Sequence, residues 1–400
     1  MSSSQLLDNV LPNPRKRWVM TIKRIAILFN CILIALVLYL GDFSSLDIDT
    51  TIVRADALFL LAINIIIWFI NRRLLKNISP LYFSNKVFQL YMACILLSVV
   101  LRPDIIASLR NVVHIFLVYL LVMQLVNMMH EIPLGKVIQY LSNYLFYILF
   151  LCLIYFLIRG NQIMFLNHNP EHRFGGIFFF GHTAIIAGLS ILLNLYLLTE
   201  DGHIYSVFKL CFSIIILLAT DSRTEILATI LFSFFIYFKN INRSYILIII
   251  FIIIGYITYQ GFTQFYNISE VEGDVGIRTI IWGTALTKIS ERPLLGYGTE
   301  DPFANQYVSF DGVKDPHSAY LSILLRQGIL ATVLLFTFYW SYIKIYTTKN
   351  NLALLYFVLY YFITTTTGTE IFNGGLTMIN ILFYLVFFGL FTHPQRLQTA

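Results

Sequence analysis

The sequence predicts an all-α integral membrane protein of about twelve transmembrane helices with one long loop on the outer side. Three observations predict it. Of 400 residues, 58% are hydrophobic and 12% charged, and the mean hydropathy is +0.76. A soluble domain carries about 25% charged residues, so this chain lacks the polar surface that water requires. The apolar residues also fall into runs near the ~20 residues that a helix needs to cross bilayer hydrocarbon. Finally, a single stretch, 263–316, interrupts the rhythm of short connections.

The expected spans are 22–40, 54–71, 85–101, 108–129, 137–158, 176–198, 205–220, 223–239, 244–262, 317–340, 351–367 and 371–391. The seventh and eighth can also be read as one long hairpin, bent at Thr220-Asp221-Ser222. The domain plan follows: a tail over 1–21, helices one to nine over 22–262, the long loop 263–316, helices ten to twelve over 317–391, and a tail over 392–400.

Lysine and arginine set the orientation. With the N-terminus inside, sixteen of them fall on the cytoplasmic side, from the Arg15-Lys16-Arg17 cluster to Arg396 and including Lys209. Six fall outside: Arg54, Arg102, Arg110, Arg159, Arg173 and Arg223. The excess puts both termini in the cytoplasm, as an even span count requires. The same distribution removes a nucleic-acid reading of the +6 net charge, because the basic residues lie in short loops with no stripe of interleaved aromatics. Residues 36–42 provide no clean cleavage site, so the first span is expected to stay attached. Cys31, Cys94, Cys152 and Cys211 all lie inside apolar runs without a CxxC pair, and read as small buried hydrophobes.

Within the long loop, Ile277, Ile280, Ile281, Trp282, Leu286 and Ile289 recur at helical spacing before a Pro293-Leu294-Leu295-Gly296-Tyr297-Gly298 turn. An ordered amphipathic helix at the membrane interface is expected there. The only other sizeable outer connection is 159–175.

Ionisable groups at or within spans are costly, and so are functional candidates. They gather at the outer ends: Arg223 in Asp221-Ser222-Arg223-Thr224-Glu225, Arg278 in the loop, and His317 in Asp315-Pro316-His317-Ser318. Arg326 lies nine residues beyond His317, roughly 13 Å deeper along a helix. Arginine offers a permanently charged planar fork for phosphate and pyrophosphate, and histidine accepts a proton near neutral pH. A site that transfers a group from a lipid diphosphate needs both. Each residue also has a purely structural reading. Arg223 would anchor at the interface, Arg278 would be a solvated charge, and His317 would start a helix. Arg326 would pair with Glu370 or Asp315, and Glu225 would favour a helix N-terminus. His168, His172 and His182 match no common metal-ligand spacing, and no glycine-rich nucleotide loop is present.

In order along the second half come Ser222-Arg223, Arg278-x-x-x-Trp282, Pro293 to Gly298, and Pro316-His317-Ser318 with Gly328 following. This set, over about residues 215–345, resembles the O-antigen ligase and polymerase superfamily of bacterial membrane glycosyltransferases. The resemblance implies a GT-C-type bundle of twelve spans in the inner membrane, with a large periplasmic loop and a periplasmic active site. It implies an inverting transfer of glycan from an undecaprenyl diphosphate carrier, without metal, cofactor or nucleotide sugar. The acceptor would be the lipid A–core for a ligase and a second carrier-linked repeat unit for a polymerase. By motif, Arg223 and Arg278 would hold the diphosphate and His317 would activate or orient the acceptor hydroxyl. Arg326 joins the diphosphate set on depth alone. The chain departs from the common pattern at Thr224 and Ala331, which bears on the choice between ligase and polymerase. The single dominant loop leans towards ligase. A transporter or lipid flippase is the rival class, but neither an internal repeat nor charges on several mid-membrane spans support it.

Overall fold

The computed structural model describes residues 61–69, 85–100, 105–159, 174–175, 178, 180–201, 204–237, 274–298, 318–347, 352–365 and 378–393. The expected spans at 22–40 and 244–262 lie outside the described residues, as do Arg54, Arg102, Arg173, His168, His172, Asp315, His317 and Glu370.

No strand occurs among the described residues. Helix α1 covers 61–69. It is followed by α2 (Lys86–Val100), α3 (Ile105–His130), α4 (Leu134–Ile158), α5 (Phe180–Asp201), α6 (Ile204–Ala219) and α7 (Arg223–Tyr237). Then come α8 (Asp274–Glu291), α9 (Ala319–Tyr346), α10 (Leu352–Thr364) and α11 (Met378–Tyr384), which continues as a π-helical stretch, Leu385–Phe391. A helix therefore stands within each expected span from the second to the eighth and from the tenth to the twelfth. Three helical stretches, Leu134–Ile158, Gly181–Glu200 and Ala319–Tyr346, are long and apolar enough to cross a membrane by length and composition.

Helix α4 shows why these segments behave as they do. Pro133 precedes it with φ −53°, the value its ring imposes, and leaves no N–H to satisfy at the helix start. Val137, Leu141, Leu145, Ile148, Cys152 and Phe156 are buried at three- and four-residue spacing, while Tyr147, Phe150, Leu151, Ile154 and Leu157 are exposed on the other side. A helix apolar all round, with half of that surface uncovered, is matched to hydrocarbon rather than to water. The lateral faces of α2, α6 and α7 are exposed and apolar in the same way. Cysteine follows this lateral exposure. Cys152 is buried, but Cys94 is half-buried and Cys211 is exposed on α6, so the buried-hydrophobe reading holds for one of the three described cysteines.

Successive helices reverse direction. At the upper end, Thr183 of α5 donates its hydroxyl to the carbonyl of Gly175. The Phe174 ring meets Phe156 of α4 at 4.8 Å, and the Phe174 N–H bonds the carbonyl of Ala219, the last residue of α6, at 3.1 Å. At the lower end, α3 and α11 close on each other. His130 donates Nε2–H to Phe388 O at 3.1 Å. His393 donates to Met129 O and Ile132 O at 3.1 and 2.9 Å. A carbonyl only accepts, so both rings carry the proton on Nε2. His393 thus caps Ile132 O and adds a second donor to Met129 O, which already takes the Ile132 N–H, while His130 joins the Thr392 hydroxyl on Phe388 O. Between the two ends lies an aromatic core in which Phe338 of α9 touches Phe88 of α2 at 5.1 Å and Phe388 of the π-stretch at 5.8 Å. The Tyr384 hydroxyl donates to that of Tyr119 at 3.0 Å.

His393→Ala leaves Ile132 O without the His393 donor, while Met129 O keeps the Ile132 N–H. The expected cost is about 1–3 kcal/mol, read as a lower unfolding midpoint in detergent micelles, and His393→Gln should recover part of it.

Candidate functional site

The upper end of α7 is set by local chemistry. Asp221 takes a left-handed conformation (φ 49°), which aspartate tolerates better than most residues. Thr220 returns its hydroxyl to Leu217 O at 2.7 Å. Ser222 donates to the carboxylate of Glu225, and the Ile226 N–H bonds Ser222 O at 3.0 Å. This is a capping arrangement in which a Ser and a residue three further on bond each other across the first turn. It makes Arg223 the first helical residue, exposed, while Glu225 is buried. The hairpin reading of 203–239, with its bend at 220–222, is what the structure contains.

Helix α10 runs antiparallel to α7. Tyr356 stacks near Phe235 at 5.4 Å, and Tyr360, one turn on, meets Phe232 at 6.3 Å. Gly188 of α5 leaves the space for this contact: a Cβ there would fall 1.9 Å from the Tyr360 hydroxyl and 2.5 Å from Thr229 Oγ1. The end of α10 therefore lies beside the start of α7. There it also receives the start of α9, where Ala319 N–H bonds Thr365 O at 3.1 Å and the Tyr320 hydroxyl donates to Phe362 O. Ser318, next in the chain to His317, is the extended N-cap of α9 and is buried. The starts of α7 and α9 thus both lie beside the end of α10.

Nine residues inside, α9 is broken. Gly328 adopts φ 74°, ψ 175°. In an unbroken helix the Ile329 and Leu330 N–H groups would bond the carbonyls of Leu325 and Arg326. Instead, Ile329 N–H goes to Pro293 O at 2.8 Å and Leu330 N–H to Leu294 O at 3.4 Å. Leu325 O accepts from Tyr297 N–H and Arg326 O from Gly298 N–H, both at 2.7 Å. The Pro293–Gly298 segment is spliced into the helix, supplying the partners that the break removes. Both glycines are obligatory for this close approach. Gly296 has φ 62°, and a Cβ on it would lie 2.6 Å from Gly328 N. A Cβ on Gly328 would lie 2.2 Å from Leu294 O.

Helix α8 leads into this clasp. Ile281, Ala285 and Ile289 form a buried stripe, and Ala285 and Ile289 join Tyr297 and Leu325 in a small apolar cluster with Leu321 and Leu324 packed on it. The expected helix within the long loop is present, with this stripe inward and Leu286 exposed. Tyr297 is fastened twice more: its hydroxyl donates to Glu291 Oε2 at 2.6 Å, and the Arg292 guanidinium lies 4.7 Å from its ring centre. The Tyr297 hydroxyl, then Lys288 at 2.9 Å, hold the Glu291 carboxyl below the ordinary carboxylate range. This contribution is present above that range and is lost as pH falls through the depressed value.

Of the residues singled out from sequence, the structure places Arg223 at the start of α7 and Arg326 two residues before the break, half-buried. Arg278 lies on α8, one turn before Ile281, with only its backbone described, and His317 is outside the described residues. Sequence reading identified the Pro293–Gly298 turn and Gly328 separately and missed that they form one contact. It also missed Glu291, Thr365 and Gln327, whose Oε1 accepts from the Tyr91 hydroxyl at 3.2 Å.

Gly328→Ala and Gly296→Ala should each destabilise by about 3 kcal/mol or more, because a positive φ and a backbone clash coincide. Gly283 of α8 has nothing within 4 Å of a Cβ, so Gly283→Ala should be neutral or stabilising by about 0.5–1 kcal/mol. Thermal unfolding of the three variants in micelles, with proteolysis at 293–298 as a local readout, checks the contrast.

No curated protein matches the chain. Residues 208–336 match a family model described as O-antigen ligase. The matched stretch runs from α6 past the break in α9, and takes in the bend, α8, the clasp and every candidate site residue. Over that stretch the chain is similar to the O-antigen ligase family.

Proposed function

We propose that this chain is an O-antigen ligase. It transfers polysaccharide from undecaprenyl diphosphate to the lipid A–core at the periplasmic face of the bacterial inner membrane. The observation that carries the reading is that the α7 start, bearing Arg223, and the α9 start at Ser318, next in the chain to His317, both lie beside the end of α10. A matched family stretch that includes all the candidate residues supports it.

The proposed reaction is one inverting displacement. The acceptor hydroxyl oxygen forms a bond to the anomeric carbon from one face. The bond from that carbon to the carrier diphosphate breaks on the other face, and its electron pair leaves on the diphosphate. His317 takes the acceptor proton. Arg223 and Arg278, with Arg326 behind them, stabilise the charge that develops on the leaving oxygens, so the charge a metal would otherwise supply comes from guanidinium groups. Carrier and acceptor enter sideways from the bilayer, across the exposed apolar faces of the helices. In this reading both termini are cytoplasmic, and the 263–316 loop covers the periplasmic site.

A repeat-unit polymerase of the same superfamily is the second reading. It gains weight from the end of the 159–175 connection, which is bonded into the upper end of the bundle at Phe174.

The test is a surface-polysaccharide gel from a deletion strain complemented with wild type, Arg223→Ala or His317→Ala. A ligase leaves polymerised glycan on the carrier and the lipid A–core bare in the deletion strain. A polymerase leaves core carrying one repeat unit. Each variant should lower transfer by on the order of 10²-fold or more at unchanged protein level, and an intact ladder in both variants rejects the mechanism.

A further inference from the structure

The lower half of the bundle holds a cation that the reaction does not use. Lys209 lies five residues into α6, an otherwise apolar helix. That is about 8 Å from the helix start and about 15 Å from Ala219 at the upper end, so the group belongs to the leaflet opposite the clasp and the Arg223 end. The sequence counts Lys209 on the cytoplasmic side, within the expected span 205–220. In the structure it lies within α6, half-buried.

Its surroundings are built. The ammonium donates to Asn143 Oδ1 and, at 3.5 Å, to Ser142 Oγ on α4. Ser142 donates to Asn194 Oδ1 of α5 at 2.8 Å, and Asn194 returns Nδ2–H to Ser190 O at 2.8 Å. The Ser190 hydroxyl meets that of Ser213 of α6 at 2.8 Å. Ser142, Asn194, Ser190 and Ser213 are all fully buried. Three helices thus supply a neutral, fully bonded polar floor under one positive charge. Among the described residues no carboxylate pairs with Lys209. On the open side, Phe208 and Tyr205 are exposed at 64% and 78%. Phe208 packs against Phe146 at 5.8 Å, extending an aromatic wall that includes Phe212 and Phe150.

A lysine that only anchors at the interface would extend along its helix to water, with no need of such a floor. A charge at this depth with no carboxylate partner among the described residues suits an anion from the membrane itself. Lysine's three donors exceed the two neutral oxygens that hold it, and a basic recess between helices on the cytoplasmic side suits an anionic headgroup. We infer that Lys209, Asn143 and the Phe146–Phe208 wall form a binding site for an anionic phospholipid, its phosphate on the ammonium and its acyl chains along the aromatic wall. The site stands independently of the transferase reading.

The test uses the full chain in neutral micelles, titrated with phosphatidylglycerol, with phosphatidylcholine or with inorganic phosphate, following the unfolding midpoint and bound lipid by native mass spectrometry. Phosphatidylglycerol should raise the midpoint more than phosphatidylcholine does. Lys209→Gln should weaken the selective binding at least five-fold, whereas Lys136→Gln, exposed in the first turn of α4, should leave it unchanged. If Lys209→Gln does not fold, Asn143→Ala is read in its place, with the same loss expected. Equal responses to the two lipids overturn the proposal, as does selective binding that survives both Lys209→Gln and Asn143→Ala. An equal response to inorganic phosphate also overturns it, since the site would then be one for free anions.

Discussion

Four backbone hydrogen bonds between Pro293–Gly298 and the break at Gly328 hold the upper half of this molecule in one arrangement. In an apolar interior an unpaired amide or carbonyl costs several kcal/mol, and a helix that breaks there exposes two of each. Here another stretch of backbone pairs them. Once that backbone is the 293–298 segment, α8 has little freedom left. Its last residue, Glu291, is tied to Tyr297, and its inner stripe is pressed onto Leu321, Leu324 and Leu325. From the other side, Gln327, next to the break, is held by Tyr91 of α2. The clasp therefore registers α8 and the 293–298 segment against α9 to within the tolerance of a hydrogen bond.

What could be read from the sequence follows the range of the interaction responsible. Span positions depend on runs of apolar residues and were legible along the described chain, because hydrocarbon rewards composition over a local window. The bend at 220–222 and the helix at 274–291 were legible for the same reason, through capping residues and helical spacing. The clasp was not. It joins residues some thirty apart, and nothing local to Gly296 or Gly328 names the other as its partner. The reciprocal capping by His130 and His393 spans a still longer separation and leaves no trace in the pattern. Cys211 was misread for a different reason. Within an apolar helix, the residue types alone do not tell which side faces lipid and which faces another helix.

The polar groups of the bundle divide by end and by purpose. At the lower end, histidines cap helix termini and a serine–asparagine network lies under Lys209, so each polar atom named there answers to another fixed atom of the protein. At the upper end, the starts of α7 and α9 both flank the end of α10, with Arg223 on the surface. In the transferase reading this is the face that needs an unfilled electrostatic demand, and the lower half is where rigidity is stored.

Helix polarity then separates the two described arginines. The first turns of α7 and α9 are both N-terminal ends, where aligned peptide dipoles leave partial positive charge, a setting that favours anions. Arg223 adds its charge to that end, so a diphosphate placed there gains from side chain and backbone together. Arg326 lies at the opposite pole, in the last turn of the short helical segment that ends at Gly328, where the carbonyl ends carry partial negative charge and a cation is favoured even without a ligand. Part of its charge is already answered by its own helix, and its carbonyl is already answered by Gly298. The electrostatics therefore rank Arg223 ahead of Arg326 for holding a leaving group, and give Arg326 a reason to occupy its depth whether or not substrate is bound.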